Sequence, residues 1–255
     1  VPLFERRGKK VTLTPRGRVL RDRAARVLEE VHALRADLTQ NDVEARHLTL
    51  AASHGLAGRV LVPSWAGVSR KHQTTTADIF SMRSSEVVAQ VVGGTIDVGV
   101  CFSPLPHPEM VVEPLASGQL RIACKRGHPL LRARRASVVE QLRRTPAVMP
   151  KAFAGIDVCE HHPALEALDL LVTPIVRYDS YETAATLLDE LGAWTLLPDL
   201  VAAWSRPNLA LTQSPSGWDA PYTIAAVHRR AQKRTPVVDA LLRAVTVELA
   251  SFVEH

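Results

Sequence analysis

Aromatic residues make up only 5% of this 255-residue chain, although hydrophobic residues of all kinds reach 46%. A core must therefore be assembled mainly from Val, Leu, Ile and Ala. Long apolar runs are also missing, and none approaches the roughly 20 residues that a membrane-spanning helix requires. No secretory signal opens the chain, because the charged residues 1–10 are not followed by an apolar stretch. Met does not stand at position 1, so Val1 is not expected to be the native start. Cysteine is scarce: Cys101, Cys124 and Cys159 are odd in number and widely spaced. That fits reduced thiols in the cytoplasm and not a disulfide framework. Gly-rich phosphate loops, nucleophile elbows and HExxH are absent, so neither a cofactor nor a catalytic site is expected. Cys159-Glu160-His161-His162 uses metal-ligand residue types, but neighbours on a helix project about 100° apart and cannot close on one ion. No metal site is expected there.

What the chain does have is charge, unevenly placed. The formal net charge is +5, yet residues 1–26 hold nine basic side chains against two acidic ones, leaving the remainder slightly acidic. A basic head on an acidic body is the footprint of a nucleic-acid contact confined to one end, although a solvated basic helix face gives the same count. Residues 2–14 read as a short β-hairpin with Gly8 at its turn. Arg6, Arg7, Lys9 and Lys10 cluster near the tip, where cations can lie against phosphates without reading bases. Thr14 then caps, and Pro15 opens, a helix. Along it Leu20, Ala24, Val27, Val31, Leu34 and Leu38 alternate steps of four and three. This 3.5-residue period suits pairing with a second helix; lying on its own domain is the other use of such a stripe.

From about residue 47 strands and helices alternate, the pattern of an α/β fold with short parallel sheets. Strands are expected at residues 47–52, 75–82, 96–102, 111–115 and 120–125, and helices at 56–70 and 84–92. Residues 116–118 form a candidate crossover between two of these strands. Next come a helix at 138–143, a strand at 147–149, a helix at 156–168, a strand at 175–178, a helix at 181–191, and strands at 194–197 and 209–212. The loop 214–221 is a second candidate crossover, followed by a strand at 222–228 and a closing helix at 236–253. In open α/β sheets ligands bind beyond the carboxyl ends of strands, at helix N-termini whose N–H groups favour anions. Three junctions meet that description: Ser53-His54-Gly55, Phe153-Ala154-Gly155 and Asp179-Ser180-Tyr181. Ser53 is the foremost candidate, a small hydroxyl at a helix start that could equally be an ordinary N-cap. Asp179 is awkward beside an anion; it would cap its helix together with Ser180 or select an amine.

Pro2-Leu3-Phe4-Glu5-Arg6, followed by Leu13-Thr14-Pro15 and Gly17, resembles the wing and linker-helix entry of LysR-type transcriptional regulators. Gly94-Thr-Ile-Asp-Val-Gly-Val, Gly127-His128-Pro129-Leu130 and Gly192-Ala-Trp-Thr-Leu-Leu-Pro198 are similar to further segments of that family, so the likeness covers nearly the whole chain. The last departs from pattern, with Trp194 in place of an aliphatic residue and Leu191 where a small one is frequent. The resemblance implies a fold class of α/β type: a two-lobed, periplasmic-binding-protein-like effector domain preceded by a wing hairpin and a long linker helix. The layout expected is a remnant of a winged helix-turn-helix at 1–14, a linker and dimerisation helix at 15–46, and an effector domain at 47–255. Lobe I would take 47–117 and 222–255, and lobe II 118–221. The three junctions would line the cleft between lobes, flanked by Ser84, Ser85, Cys101, Phe102 and Ser103. The implied function is a DNA-binding regulator that senses a small-molecule effector and self-associates as a dimer or tetramer, with no membrane partner. A stand-alone solute-binding protein and a cleft enzyme are the alternatives.

Overall fold

Thr14 and Pro15 do locally what their chemistry suggests. In the computed structural model, which describes residues 2–7, 10–21, 23, 24, 27, 47–151, 162–204 and 208–252, helix α1 begins at residue 15. The Gly17 amide donates to Thr14 Oγ1 at 3.0 Å, the bond expected of an N-cap. Before it, β1 (Phe4–Arg7) and β2 (Lys10–Leu13) pair antiparallel, with Arg7 opposite Lys10 at the tip. The hairpin is tied to α1 by Thr14 Oγ1 donating to the Pro2 carbonyl and by Arg18 donating to the Leu13 carbonyl, both at 3.0 Å. Residues 15–21, 23, 24 and 27 are helical. Leu20 and Val27 are 49% and 62% exposed, so this end of the apolar stripe is not laid against the body of its own chain. Val31, Leu34 and Leu38 lie outside the described residues.

The body is built on three parallel strands, of which two bury nearly every side chain and the third, at the sheet edge, is exposed or half-buried throughout. β3 (His47–Ser53) runs parallel to β4 (Thr76–Met82) on one side and to β5 (Val98–Phe102) on the other. Alternation along these strands sorts their residues between two layers. Leu48, Leu50, Ala52, Val100 and Phe102 join α2 (Val62–Ser69) and α8 (Pro236–Ser251) in the main core. Ala51 and Cys101 point the other way, under α3 (Ser84–Val92). A π-helical turn at Ala57–Leu61 runs without a break into α2, and Pro63, the second residue of α2, lies just past that turn.

One expectation is corrected here. Residues 116–118 do not separate two strands: Met110–Lys125 is a single 16-residue strand, β6. Its first half pairs antiparallel with β11 (Pro221–Arg229), and its second half with β9 (Trp194–Pro198) and β10 (Leu209–Leu211). The register against β11 shifts between Ile224 and Ala225, leaving Leu115 as the extra residue of a bulge beside Pro114. A bulge bends a strand without ending it, and it tolerates a proline that ladder positions would reject. The chain therefore turns from one lobe to the other while remaining extended.

The second lobe gathers around the far half of β6. α4 (Val138–Arg144), β7 (Val148–Pro150), α5 (Pro163–Glu166), β8 (Val176–Tyr178), α6 (Tyr181–Leu191) and α7 (Asp199–Trp204) complete it. β7 and β8 pair in parallel, and a bridge from Ala147 to Trp194 ties them to β9. Trp194, out of place by family pattern, is 1% exposed in this lobe's core. Its Nε1 donates to the carbonyls of Leu142 and Thr145 at 3.2 and 3.1 Å. Of the helix expected at 156–168, Pro163–Glu166 is described, and residues 152–161 lie outside the described set. α7 was not expected from the sequence.

Candidate functional site

Where β3 ends, the first lobe presents a small polar ledge. Ser53 is 4% exposed. Its hydroxyl lies 2.8 Å from that of Ser84, at the start of α3, and accepts the Phe102 amide at 3.4 Å. No side-chain cap is made at the following helical turn, so Ser53 works across strands and does not serve as that turn's N-cap. His54 Nδ1 lies 3.0 Å from Ser81 Oγ, which holds the ring toward β4. Gly55 has φ +87°, a conformation that side chains rarely adopt.

The second lobe reaches this ledge with aromatic rings. A β-carbon at Gly55 would lie 2.9 Å from Tyr181 Cδ2 and 3.3 Å from Trp204 Cζ3. Tyr181 also meets the Phe102 ring edge-on, with centroids 6.4 Å apart, and Phe102 meets Tyr222 at 5.4 Å. Tyr181 is placed by Ser180, whose Oγ accepts the Thr183 amide at 3.2 Å and so caps α6. Trp204 packs edge-on against Phe252 at 5.5 Å, and its buried Nε1 finds no acceptor among the described residues.

The strands that join the two lobes, β6 and β11, are fastened together by Asp199. The Asp199 carboxylate accepts the Tyr222 hydroxyl at 2.6 Å, the Gln119 amide at 2.9 Å and the Leu200 amide at 2.8 Å. A β-carbon at Gly118 would stand 2.5 Å from both Asp199 Oδ1 and the Tyr222 oxygen, so the clamp closes only over a glycine. Burial first, and then Asp199, push the Tyr222 phenol well above its ordinary range and keep it a donor.

Among the residues singled out from sequence, Ser53, Gly55, Ser84, Phe102 and Tyr181 thus converge. Cys101 does not: it is fully buried under α3, on the opposite face of β5 from Phe102, and burial pushes its thiol up to about 12. Its expected place at the cleft is corrected by the strand's alternation. Ser85 and Asp179 are exposed. Ser103 turns outward with φ 37° and accepts the Thr223 amide. Phe153, Ala154 and Gly155 lie outside the described residues, as does Lys9. Arg6, Arg7 and Lys10 stand on the hairpin strands. Asp199, Trp204, Tyr222 and Phe252 were missed, although Pro198-Asp199 before an apolar run is a readable helix start. Among the described residues, no His, Cys, Asp or Glu cluster could hold a metal, and no helix is long and apolar enough to cross a membrane.

Two α/β lobes joined through β6 and β11 define a periplasmic-binding-protein-like domain of the kind found in effector-regulated proteins. The model of the LysR substrate binding domain matches residues 41–250, and the chain belongs to the LysR family. It is similar to the HTH-type transcriptional regulator BbuR of Bordetella bronchiseptica, with 27% identity over 59% of this chain and 46% of that protein. An uncharacterized HTH-type transcriptional regulator of Mycobacterium bovis is 30% identical over 56% of this chain and 48% of its own length. The chain thus spans about half the length of the curated relatives it matches. Among solved structures, a Corynebacterium glutamicum OxyR C206 mutant superposes with TM-score 0.68 at 20% identity, over 99% of this chain and 79% of that one. Full-length CbnR complexed with its target DNA superposes with TM-score 0.63 at 18% identity, over 94% and 83%. At such identities these structures establish the shared fold.

Proposed function

We propose that this chain is the sensing and self-associating portion of a cytoplasmic, DNA-binding transcriptional regulator, and that it works without catalysis. A small-molecule effector enters the cleft bounded by Ser53, Gly55, Ser84 and Phe102 from one lobe and by Tyr181 and Trp204 from the other. Residues 47–117 and 222–255 act as lobe I, 118–221 as lobe II, and residues 15–46 as the linker through which copies pair. The wing cations Arg6, Arg7, Lys9 and Lys10 bind phosphates. The observation that carries this reading is the meeting of Tyr181 with Gly55 and Phe102 above a hinge of two strands. A ligand that changes that meeting changes lobe closure, and only a difference in affinity between the two closures can drive regulation. The Ser53–Ser84 hydroxyl pair and the unpaired Trp204 donor suit an effector carrying hydrogen-bonding oxygens. OxyR-like oxidant sensing is not favoured at Cys101 or Cys124, because burial pushes both thiols up, to about 12 and about 11.

A thermal-shift screen of small organic acids and amines tests the cleft. A true effector at about 100 times its Kd adds about 2.7 kcal/mol to the folded state. That gain should vanish in Ser53→Ala/Ser84→Ala, read against that variant's own unliganded melting temperature, which falls because the Phe102 amide loses its acceptor. A stabilising ligand that ignores both substitutions refutes the site. Sedimentation tests pairing, and a monomer at tens of micromolar refutes it.

A further inference from the structure

We propose that the arginine-rich outer face of lobe II is a second phosphate-binding surface, and that it takes the backbone of duplex DNA apart from the basic head. Residues 125–144 hold seven basic side chains, Lys125 and six arginines, against one acidic residue, Glu140. This is a local concentration, since the chain beyond residue 26 is slightly acidic as a whole. Two 3-10 turns, Pro129–Arg132 and Arg135–Ser137, and helix α4 carry Arg132, Arg135, Arg143 and Arg144, with Arg134 between the turns. Arg132 and Arg144 line one concavity of about 470 Å³ together with Gln141 and Thr145. Arg143 and Arg144 line an adjoining one of about 360 Å³.

Some of these cations are spent within the fold. Arg144 pairs with Glu140 at 2.6 Å, and Arg143 donates to the Asp169 carbonyl at 2.7 Å. Arg132, Arg134 and Arg135 are exposed and have no carboxylate partner among the described residues. Three like charges within four residues, with no carboxylate beside them among the described residues of the lobe, repel one another. Their use lies outside it. Arginine's planar fork matches phosphate oxygens in pairs, which lysine cannot do. A protein partner would instead look for aromatic or aliphatic anchors with charge at the rim. The segment contains no aromatic residue, and its Leu130, Val138 and Leu142 are turned into the lobe core.

The test is fluorescence anisotropy of the 255-residue chain on a labelled duplex of arbitrary sequence, across a salt series. Each phosphate left without its cation reduces the slope of log K against log salt by about 0.9, so R132Q/R134Q/R135Q should flatten it by up to about 3. Removing equal charge from lobe I with R59Q/R70Q/K71Q should leave the slope as it was. All six side chains are exposed, and unchanged thermal melts certify the fold. A wild-type slope in the lobe II variant overturns the proposal and hands the surface to an acidic protein. An equal flattening by the lobe I control overturns it as mere net charge. Inorganic phosphate that stabilises the wild type alone, with DNA slopes identical, assigns the face to a small anion and also overturns it. The variant R6Q/R7Q/K9Q/K10Q reports on the head separately, so failure of the wing and failure of this face are distinguishable.

Discussion

Replacing Asp199 with alanine should loosen the hinge and lower the stability of the whole domain. The carboxylate gathers donors from three elements: Gln119 on β6, Tyr222 on β11 and Leu200 on its own helix. Alanine strands the Gln119 amide and the Tyr222 hydroxyl, and Tyr222 is only 4% exposed. A buried donor left without an acceptor costs about 1–3 kcal/mol, so about 2–6 kcal/mol is expected for the pair. For a domain of this size each kcal/mol moves Tm by about 2–4 °C, giving a fall of about 4–24 °C by calorimetry. Tyr222→Phe loses one bond to a charged acceptor, about 1.5–3 kcal/mol, and leaves no orphan hydroxyl. The double variant should therefore fall short of the sum of the two singles, since the residues act as one unit. A D199A protein melting within about 2 °C of wild type, or additive losses in the double variant, would refute the clamp. Gly118→Ala offers an independent check, because its β-carbon displaces both partners at once.

Three further outcomes follow from the same geometry. Gly55→Ala forces a side chain into φ +87° and against Tyr181, so it should cost about 1–3 kcal/mol and shift Trp204 fluorescence; an unchanged emission spectrum argues against the Tyr181–Trp204 arrangement. Cys101 and Cys124, their thiols pushed up to about 12 and about 11, should resist a thiol reagent at neutral pH in the native protein, leaving at most Cys159 to react. Two fast-reacting thiols before denaturant is added would contradict that. Burial lowers the His162 pKa below its ordinary 6.5, while its Nδ1 accepts the Ala164 amide at the start of α5. The neutral ring is therefore the folded form: stability is full above pH about 6.5 and declines as pH falls toward the lowered folded-state value. His162→Asn, which keeps an acceptor but does not titrate, should flatten the dependence of Tm on pH in that window.

What the sequence made legible was largely what repeats along the chain. Alternation and turn residues located β3, β4, β5, α3, α6 and α8, because buried or half-buried strands and helices with an apolar side leave periodic traces. The continuous β6 was not legible. The stretch 116–118 reads as a break, and what keeps the strand whole is a bulge opposite Ile224 and Ala225, more than a hundred residues away. The site divides along the same line. Ser53, Gly55 and Ser84 could be found because strand-to-helix junctions are marked by small residues. Asp199, Trp204 and Tyr222 could not be assigned a role, since each acts through residues distant in sequence. Cys101 failed for a simpler reason: a one-residue step along β5 moves a side chain from the cleft layer to the α3 layer.

The hinge and the cleft are parts of one mechanical unit. Tyr222 presents its ring to Phe102 and its hydroxyl to Asp199, so the same residue joins the ring cluster that Tyr181 touches to the clamp that binds β6, β11 and α7 together. The direct attraction between the lobes' aromatic rings is weak: an edge-on pair is worth about 0.5–1.5 kcal/mol beyond its buried area. Inverting a two-state balance from about one in a hundred to about ninety-nine in a hundred needs about 5.5 kcal/mol of differential affinity. A ligand that merely replaced the Phe102–Tyr181 pair would fall well short of that. On the proposed reading it must also engage polar groups from both lobes, the Ser53–Ser84 pair on one side and, on the other, Trp204 Nε1, which finds no acceptor among the described residues. If that reading holds, regulation would depend on polar atoms beside the ring cluster, while the rings themselves would set how little resistance closure meets.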